Sequence, residues 1–131
     1  MFCFDTDVLV DYLRGNPAII KQIEVLYEKD VKLFTTFINL AELYKGIYAS
    51  TQPEVAEKKI FAILSILSPL QLSLSSCRIF GREWNRLKKL GTPTQQPDLL
   101  VASIAIASDI TLVTRNKKHY EHIEGLKFDV W

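Results

Sequence analysis

With 131 residues and 16 Lys plus Arg against 15 Asp plus Glu, the chain carries a net charge of +1. That balance excludes a general electrostatic attraction to nucleic acid or acidic lipid, so a polyanion must be held by a local patch or a metal. The length suits one domain, residues 1–131, able to bury most of its apolar surface without cross-links. Cys3 and Cys77 lack C-x-x-C spacing and the neighbouring histidines of a zinc site, and read as buried thiols of a reducing compartment. No uninterrupted apolar run reaches bilayer-spanning length, so a cytoplasmic location without a membrane is expected.

Phe2-Cys3-Phe4 is an apolar run suited to a buried strand, and Asp5 follows it at once. From Asp7 onward Val8, Leu9, Tyr12 and Leu13 fall at helical spacing, with Asp7 placed to cap the new helix. Asp5 thus stands where a strand hands over to a helix. In open α/β sheets ligands bind in the crevice beyond the carboxyl ends of the strands, which makes Asp5 a site candidate; the plainer reading is a turn residue and a cap.

Arg14-Gly15-Asn16-Pro17 stops the first helix and starts a second, whose apolar face is Ile19, Ile20, Ile23, Leu26 and Tyr27. Residues 31–35 read as a strand, and Thr36 caps a helix over 37–48 with Leu40, Leu43, Tyr44 and Ile47 as its stripe. Glu42 sits beside that stripe in the first turns, at the sheet edge that Asp5 reaches; a solvent-facing glutamate is the plainer account. Pro53 opens a fourth helix, and Leu70–Leu74 alternates as a short strand would. Ser75 or Ser76 then caps a helix to Leu90 that bears Arg78, Arg82, Arg86, Lys88 and Lys89 around Trp84. These residues make either a solvated face or a phosphate-contacting patch.

A loop over residues 91–97 leads to Asp98, which opens Leu99–Ala107, a helix apolar enough to be buried on nearly every side. A strand over 110–114 ends in Thr114, then Arg115 and Asn116, with Lys117, Lys118, His119 and His122 following. Residues 126–131 alternate as an edge strand. This order predicts an α/β sandwich with a mainly parallel sheet covered on both faces.

In such a layout Asp5, Glu42, Asp98 and Asn116 lie near one sheet edge. Carboxylates gathered there repel by about 4 kcal/mol per pair at about 4 Å and an effective dielectric near 20. Hard oxygen ligands with no lysine or arginine at the strand ends suit Mg²⁺ or Mn²⁺, an ion that can activate water and screen a phosphodiester. Replacing either Asp5 or Asp98 is then expected to leave the fold intact or to stabilise it by relieving repulsion.

The blocks Phe4-Asp5-Thr6-Asp7-Val8-Leu9-Val10, Asn39-Leu40-Ala41-Glu42-Leu43, Asp98-Leu99-Leu100-Val101-Ala102 and Leu112-Val113-Thr114-Arg115-Asn116-Lys117-Lys118-His119-Tyr120, with Gly125-Leu126 and Trp131, resemble a PIN domain. More narrowly they resemble the VapC ribonuclease toxins of type II toxin-antitoxin modules, essentially end to end. The resemblance implies a three-layer α/β/α sandwich, a Mg²⁺- or Mn²⁺-dependent endoribonuclease, a homodimer, and an antitoxin that occludes the acidic groove. It also implies that Asp5, Glu42 and Asp98 bind the metal. The family's fourth acidic position falls on Asn116, which can still accept a metal or water contact through its amide oxygen but adds no charge. Asp7 and Thr114 are supporting candidates, and Arg14, Arg82, Arg86, Arg115 and Lys117 are candidates for RNA contact.

Three other readings compete. The Asp5-Thr6-Asp7 segment also resembles the opening motif of haloacid-dehalogenase-type phosphatases, with Asp5 as nucleophile, although no later Gly-Asp-x-x-x-Asp segment follows. His119 and His122 can be cast as the acid and base of a metal-free ribonuclease. The third is a non-catalytic RNA- or protein-binding module on the same scaffold.

Overall fold

In the computed structural model, which describes all 131 residues, the chain runs β1 (Phe2–Phe4), α1 (Thr6–Leu13), α2 (Pro17–Glu28), β2 (Leu33–Thr36), α3 (Phe37–Tyr48), α4 (Pro53–Leu64), β3 (Ser68–Leu70), α5 (Leu74–Lys89), α6 (Gln96–Ala107), β4 (Thr111–Thr114), α7 (Lys117–Tyr120) and β5 (Phe128–Val130). The strands form one five-stranded sheet in the order β3-β2-β1-β4-β5. Every pairing is parallel, not merely most of them.

Side chains on successive strand residues point to opposite faces, and the register uses this to build two cores at once. Cys3 pairs with Leu112 and Phe4 with Val113. Phe4 and Val113 join Leu9, Ile23, Leu43 and Ile60 under α1–α4. Cys3 and Leu112 join Leu99, Ala102 and Tyr120 under α5–α7. Helices therefore cover both faces, and β1, fully wrapped, is apolar throughout as a central parallel strand must be. No helix is long and apolar enough to cross a membrane.

Several expectations need correction. The first helix is capped by Asp5, whose Oδ1 accepts from the Thr6 N–H, while Asp7 lies inside the first turn. The expected strand over Leu70–Leu74 lies earlier, at Ser68–Leu70, because Ser73 and Ser76 form a reciprocal capping box that commits the chain to helix from Leu74. Pro69 is tolerated there because β3 is an edge strand, paired with β2 alone. Cys77 is exposed, unlike Cys3.

Helix α5 is fastened to the C-terminal segment by a nearly buried carboxylate. Arg86 donates through Nε to Glu83 Oε1 at 2.9 Å and through Nη2 to Oε2 at 2.7 Å; Nη2 also reaches the His122 carbonyl at 2.6 Å. The Glu124 N–H completes the set on Glu83 Oε2 at 3.1 Å. The Arg86 hydrogen bond, ahead of every other influence, holds the Glu83 carboxyl below its ordinary range. Glu83→Gln should destabilise the protein by about 1–2 kcal/mol at neutral pH in urea unfolding. Because the folded-state pKa is lowered, the gap between the two proteins should persist above the ordinary glutamate range and close as pH falls through that range and then through the lowered value. A gap of constant size down to strong acid would show that the charge on Glu83 does not stabilise the fold.

Candidate active site

The strand order reverses direction at β1, since β2 and β3 lie to one side and β4 and β5 to the other. That switch point opens a crevice at the carboxyl ends of β1 and β4. Asp5 stands at the first and Thr114 at the second. The Asp5 N–H still bonds to the Val113 carbonyl at 2.9 Å, so the ladder holds its backbone while its side chain turns into the crevice.

Asp5 is 7% exposed. Its Oδ1 accepts from the Thr6 N–H at 2.9 Å and from Asn39 Nδ2 at 3.0 Å. Its Oδ2 accepts from Thr114 Oγ1 at 2.9 Å and from the Tyr120 hydroxyl at 2.8 Å. Four donors fill the acceptor sites of a carboxylate. Burial, followed by the nearby Asp5 charge, drives the Tyr120 phenol far above its ordinary pKa, so it remains a donor.

Asn39 is where it is because Thr36 and Asn39 form a capping box at the start of α3, with the Asn39 N–H on Thr36 Oγ1 at 3.1 Å. The Asn39 side chain donates through Nδ2 to Thr6 Oγ1 at 3.0 Å, and the Thr6 hydroxyl in turn donates to Glu42 Oε2. Glu42, three residues beyond Asn39 on the helix, is therefore aimed inward and lines the crevice with Asp5.

Asp98 enters from the first turn of α6. His119 Nδ1 lies 2.9 Å from its Oδ2, and His119 Nε2 lies 2.9 Å from Asn116 Nδ2. The imidazole stands between the two, with Nδ1 toward Asp98 and Nε2 toward the Asn116 amide. Burial first, then the charges of Asp5 and Glu42, push the Asp98 carboxyl up against the opposing pull of His119. Asp7 is also raised, by burial and then by Asp5, although its Oδ2 accepts from the Arg115 N–H at 3.0 Å and faces Thr114 Oγ1 at 3.3 Å.

These groups share one open pocket of about 650 Å³, lined by Asp5, Asp7, Asp11, Glu42 and Asp98 with Arg14, Arg115, Asn116 and His119 around them. Arg115 pairs through Nη1 with Asp11. No three His, Cys, Asp or Glu side chains close around a single point tightly enough to cage an ion. The donor set nevertheless fits Mg²⁺ or Mn²⁺: hard carboxylate oxygens gathered in one open pocket suit an ion that keeps most of its waters and needs only one or two direct carboxylates. With its four donors in place Asp5 contributes charge, and a direct bond to an ion requires one donor to leave. Thr114 has Asp7 as a second acceptor to turn to.

Other candidates lie elsewhere. Arg86 is tied to Glu83 and the His122 carbonyl, and Arg82 faces a separate cleft beside it. Lys117 is exposed and outside the pocket wall. His122 stands beside Glu121 and does not line the pocket, so the two histidines do not face a common substrate position. An Asp5 nucleophile would need a free oxygen, and both are occupied. The sequence reading missed Thr6, Asn39, Asp11 and Tyr120. Of these only Asn39 left a trace, as the residue three beyond a capping threonine.

The expected stabilisation on removing Asp5 is also corrected. Four donors, three of them from the buried side chains of Asn39, Thr114 and Tyr120, would lose their acceptor. Asp98 is the acid that combines half-burial with two neighbours of its own sign, Asp5 and Glu42.

A family model for the PIN domain matches residues 2–125. Ribonuclease VapC1 of Haemophilus influenzae strain R2866 is 29% identical over 100% of this chain and 98% of its own length. Ribonuclease VapC1 of Methanocaldococcus jannaschii is 30% identical, covering 94% of this chain and 82% of the relative. Among solved structures, VapBC2 from Rickettsia felis, bound to a DNA fragment from its promoter, superposes with a TM-score of 0.92 at 30% identity, over 99% of this chain and 98% of that one. The chain belongs to the PIN domain family, among the VapC proteins.

Proposed function

We propose that this chain is a Mg²⁺- or Mn²⁺-dependent endoribonuclease, the toxin of a toxin-antitoxin pair. The observation that carries the reading is the meeting of Asp5, Glu42 and Asp98 in one open pocket at the sheet's switch point, with the Asp98 carboxyl raised by burial and then by the charges of the other two. Support comes from relatives named ribonucleases and from the neighbour solved as a VapBC complex. The reading brings with it a cytoplasmic homodimer formed from this one PIN domain, an RNA substrate, a cognate antitoxin and no membrane.

In this mechanism Glu42 and Asp98 would hold the ion, and Asp5 would add its charge from the buried end of β1. When bound, such an ion activates water and neutralises charge on the phosphodiester. Thr6 and Asn39 keep Asp5 and Glu42 in one hydrogen-bonded chain, so the two carboxylates hold a fixed relative position. His119 orients Asp98 by its Nδ1 proton, and Asn116 fixes the ring rather than supplying a fourth negative charge. Arg14 and Arg115 line the pocket wall, where they can pair with phosphates on either side of the cleaved bond. Asp7 binds the backbone of Arg115 and so holds the end of β4.

Asp98→Asn should lower metal-dependent RNA cleavage by more than about a hundredfold and weaken Mn²⁺ binding in calorimetry. Cleavage at the wild-type rate would refute the assignment, and 5′-phosphate ends on the wild-type products would confirm attack by water. Stability separates the acids further. In metal-free buffer Asp98→Asn should raise Tm, since a half-buried charge facing Asp5 and Glu42 is removed. Asp5→Asn should instead lose about 1–3 kcal/mol by stranding buried donors. Equal shifts of the same sign in urea unfolding would contradict these separate roles.

A further inference from the structure

Helices α5 and α6 pack along each other and are joined by residues 90–95 alone, so the end of α5 lies beside the start of α6, where Asp98 is. This short connection borders two concavities. Gln95 and Asp98 line the acidic pocket. Pro93, Thr94 and Leu99 line a second cleft of about 290 Å³, completed by Trp84, Leu87 and Lys88 of α5. Its size is at the small end of ligand sites and suits one flat group.

Two features give that cleft a chemistry. Trp84 is 38% exposed, and its indole is stacked on Phe80 with ring centroids 5.8 Å apart and planes inclined by 28°, so a ring-bearing wall is already ordered. Lys88 and its neighbour Lys89 take part in no ion pair, unlike Arg86 one turn earlier. An exposed indole with unpaired ammonium groups beside it matches a stacked base and its phosphate, the recurring elements of single-strand recognition.

We propose that the Trp84–Lys88 cleft is a nucleobase subsite of the nuclease. A base flanking the cleaved phosphodiester leaves the RNA stack and lies against Trp84, while Lys88 meets the adjoining phosphate. The subsite rests on the endoribonuclease reading and specifies its substrate as single-stranded RNA. Stacking takes any base, so the subsite adds affinity and register with little base selectivity.

The test uses the full chain carrying Asp98→Asn, to bind without cutting, and a fluorescently labelled, unstructured single-stranded RNA. Adding Trp84→Leu, which keeps an apolar cover but has no π-face, should raise Kd about ten- to a hundredfold, whereas Trp84→Phe should retain most of the affinity. Adding Lys88→Ala should flatten the slope of log K against log salt by about 0.7, the loss of one phosphate contact to a single strand. RNA should quench the emission of the Asp98→Asn protein, and Trp84→Phe should abolish the quench. Trp131, the other tryptophan, packs edge-on against Phe4 at 5.4 Å on the opposite core.

Unchanged affinity in Trp84→Leu would overturn the subsite, as would a change in its sedimentation with RNA affinity unaltered, which would make the cleft an interface between copies. Cleavage by wild type that Asp98→Asn abolishes would in that event leave the nuclease reading standing. A wild-type protein that neither cuts nor binds RNA would refute that reading, and the subsite with it.

Discussion

An ionised carboxylate taken out of water must be met by donors or charges, or it will not stay ionised. Asp5 is met by neutral donors drawn from α1, α3, β4 and α7. The demand of one side chain thereby fixes how four elements approach one another. The strand order that places β4 beside β1 is what allows Thr114 to reach Asp5, and Tyr120 arrives because α7 follows β4 immediately. Every partner of Asp5 except Thr6 comes from at least 34 residues away, so the site and the topology stand or fall together. The same tie explains why a group that looks purely catalytic from its position also contributes to the fold.

The acids differ in what surrounds them, and this divides their work. Asp5 is saturated by four donors that carry no charge, so no cation of the chain is paired with it. Asp98 has one imidazole partner and feels Asp5 and Glu42 directly, which leaves it the group most relieved by a cation. Glu42 is linked to Asp5 through Thr6, so a displacement of either is transmitted to the other. Asn116, hydrogen-bonded to His119, helps orient Asp98 and adds nothing to the local charge. An amide at this position lowers the negative charge gathered in the pocket by one.

Much of this was legible because local signals and tertiary structure agree. Thr36, a cap residue before a helical stripe, placed α3 from Phe37 to Tyr48, and that placement turns Glu42 toward Asp5. Asp5 and Asp98 were conspicuous as charges attached to segments too apolar to be exposed. What failed to show was set by contacts distant in sequence. Nothing near Tyr120 marks it as a partner of a residue 115 positions earlier. Asp5 and Asp7 are equivalent as capping candidates by spacing, and β4, by drawing Asp7 onto the Arg115 N–H, decides between them. Arg86 looked like part of a basic face because the Glu83 that claims it on the same helix carries a charge usually left to solvent.

The placement of the cations bears on how an acidic pocket can receive a polyanion. Arg115 is paired with Asp11 and the His119 ring with Asp98, so these two basic groups at the pocket's wall are already matched to acids. At the centre the carboxylates remain in excess, and a phosphodiester approaching them alone would be repelled. Arg14, also on that wall, is in no ion pair, and further uncommitted positive charge, on Lys88 and Lys89, lies across the residue 90–95 connection from Asp98. A strand can therefore be attracted by its flanking phosphates before its reactive one reaches the acids, and only a cation at the centre makes that last approach favourable. The near-zero net charge of the whole chain is then the sum of two opposed local fields, with attraction at the periphery and a demand for metal within.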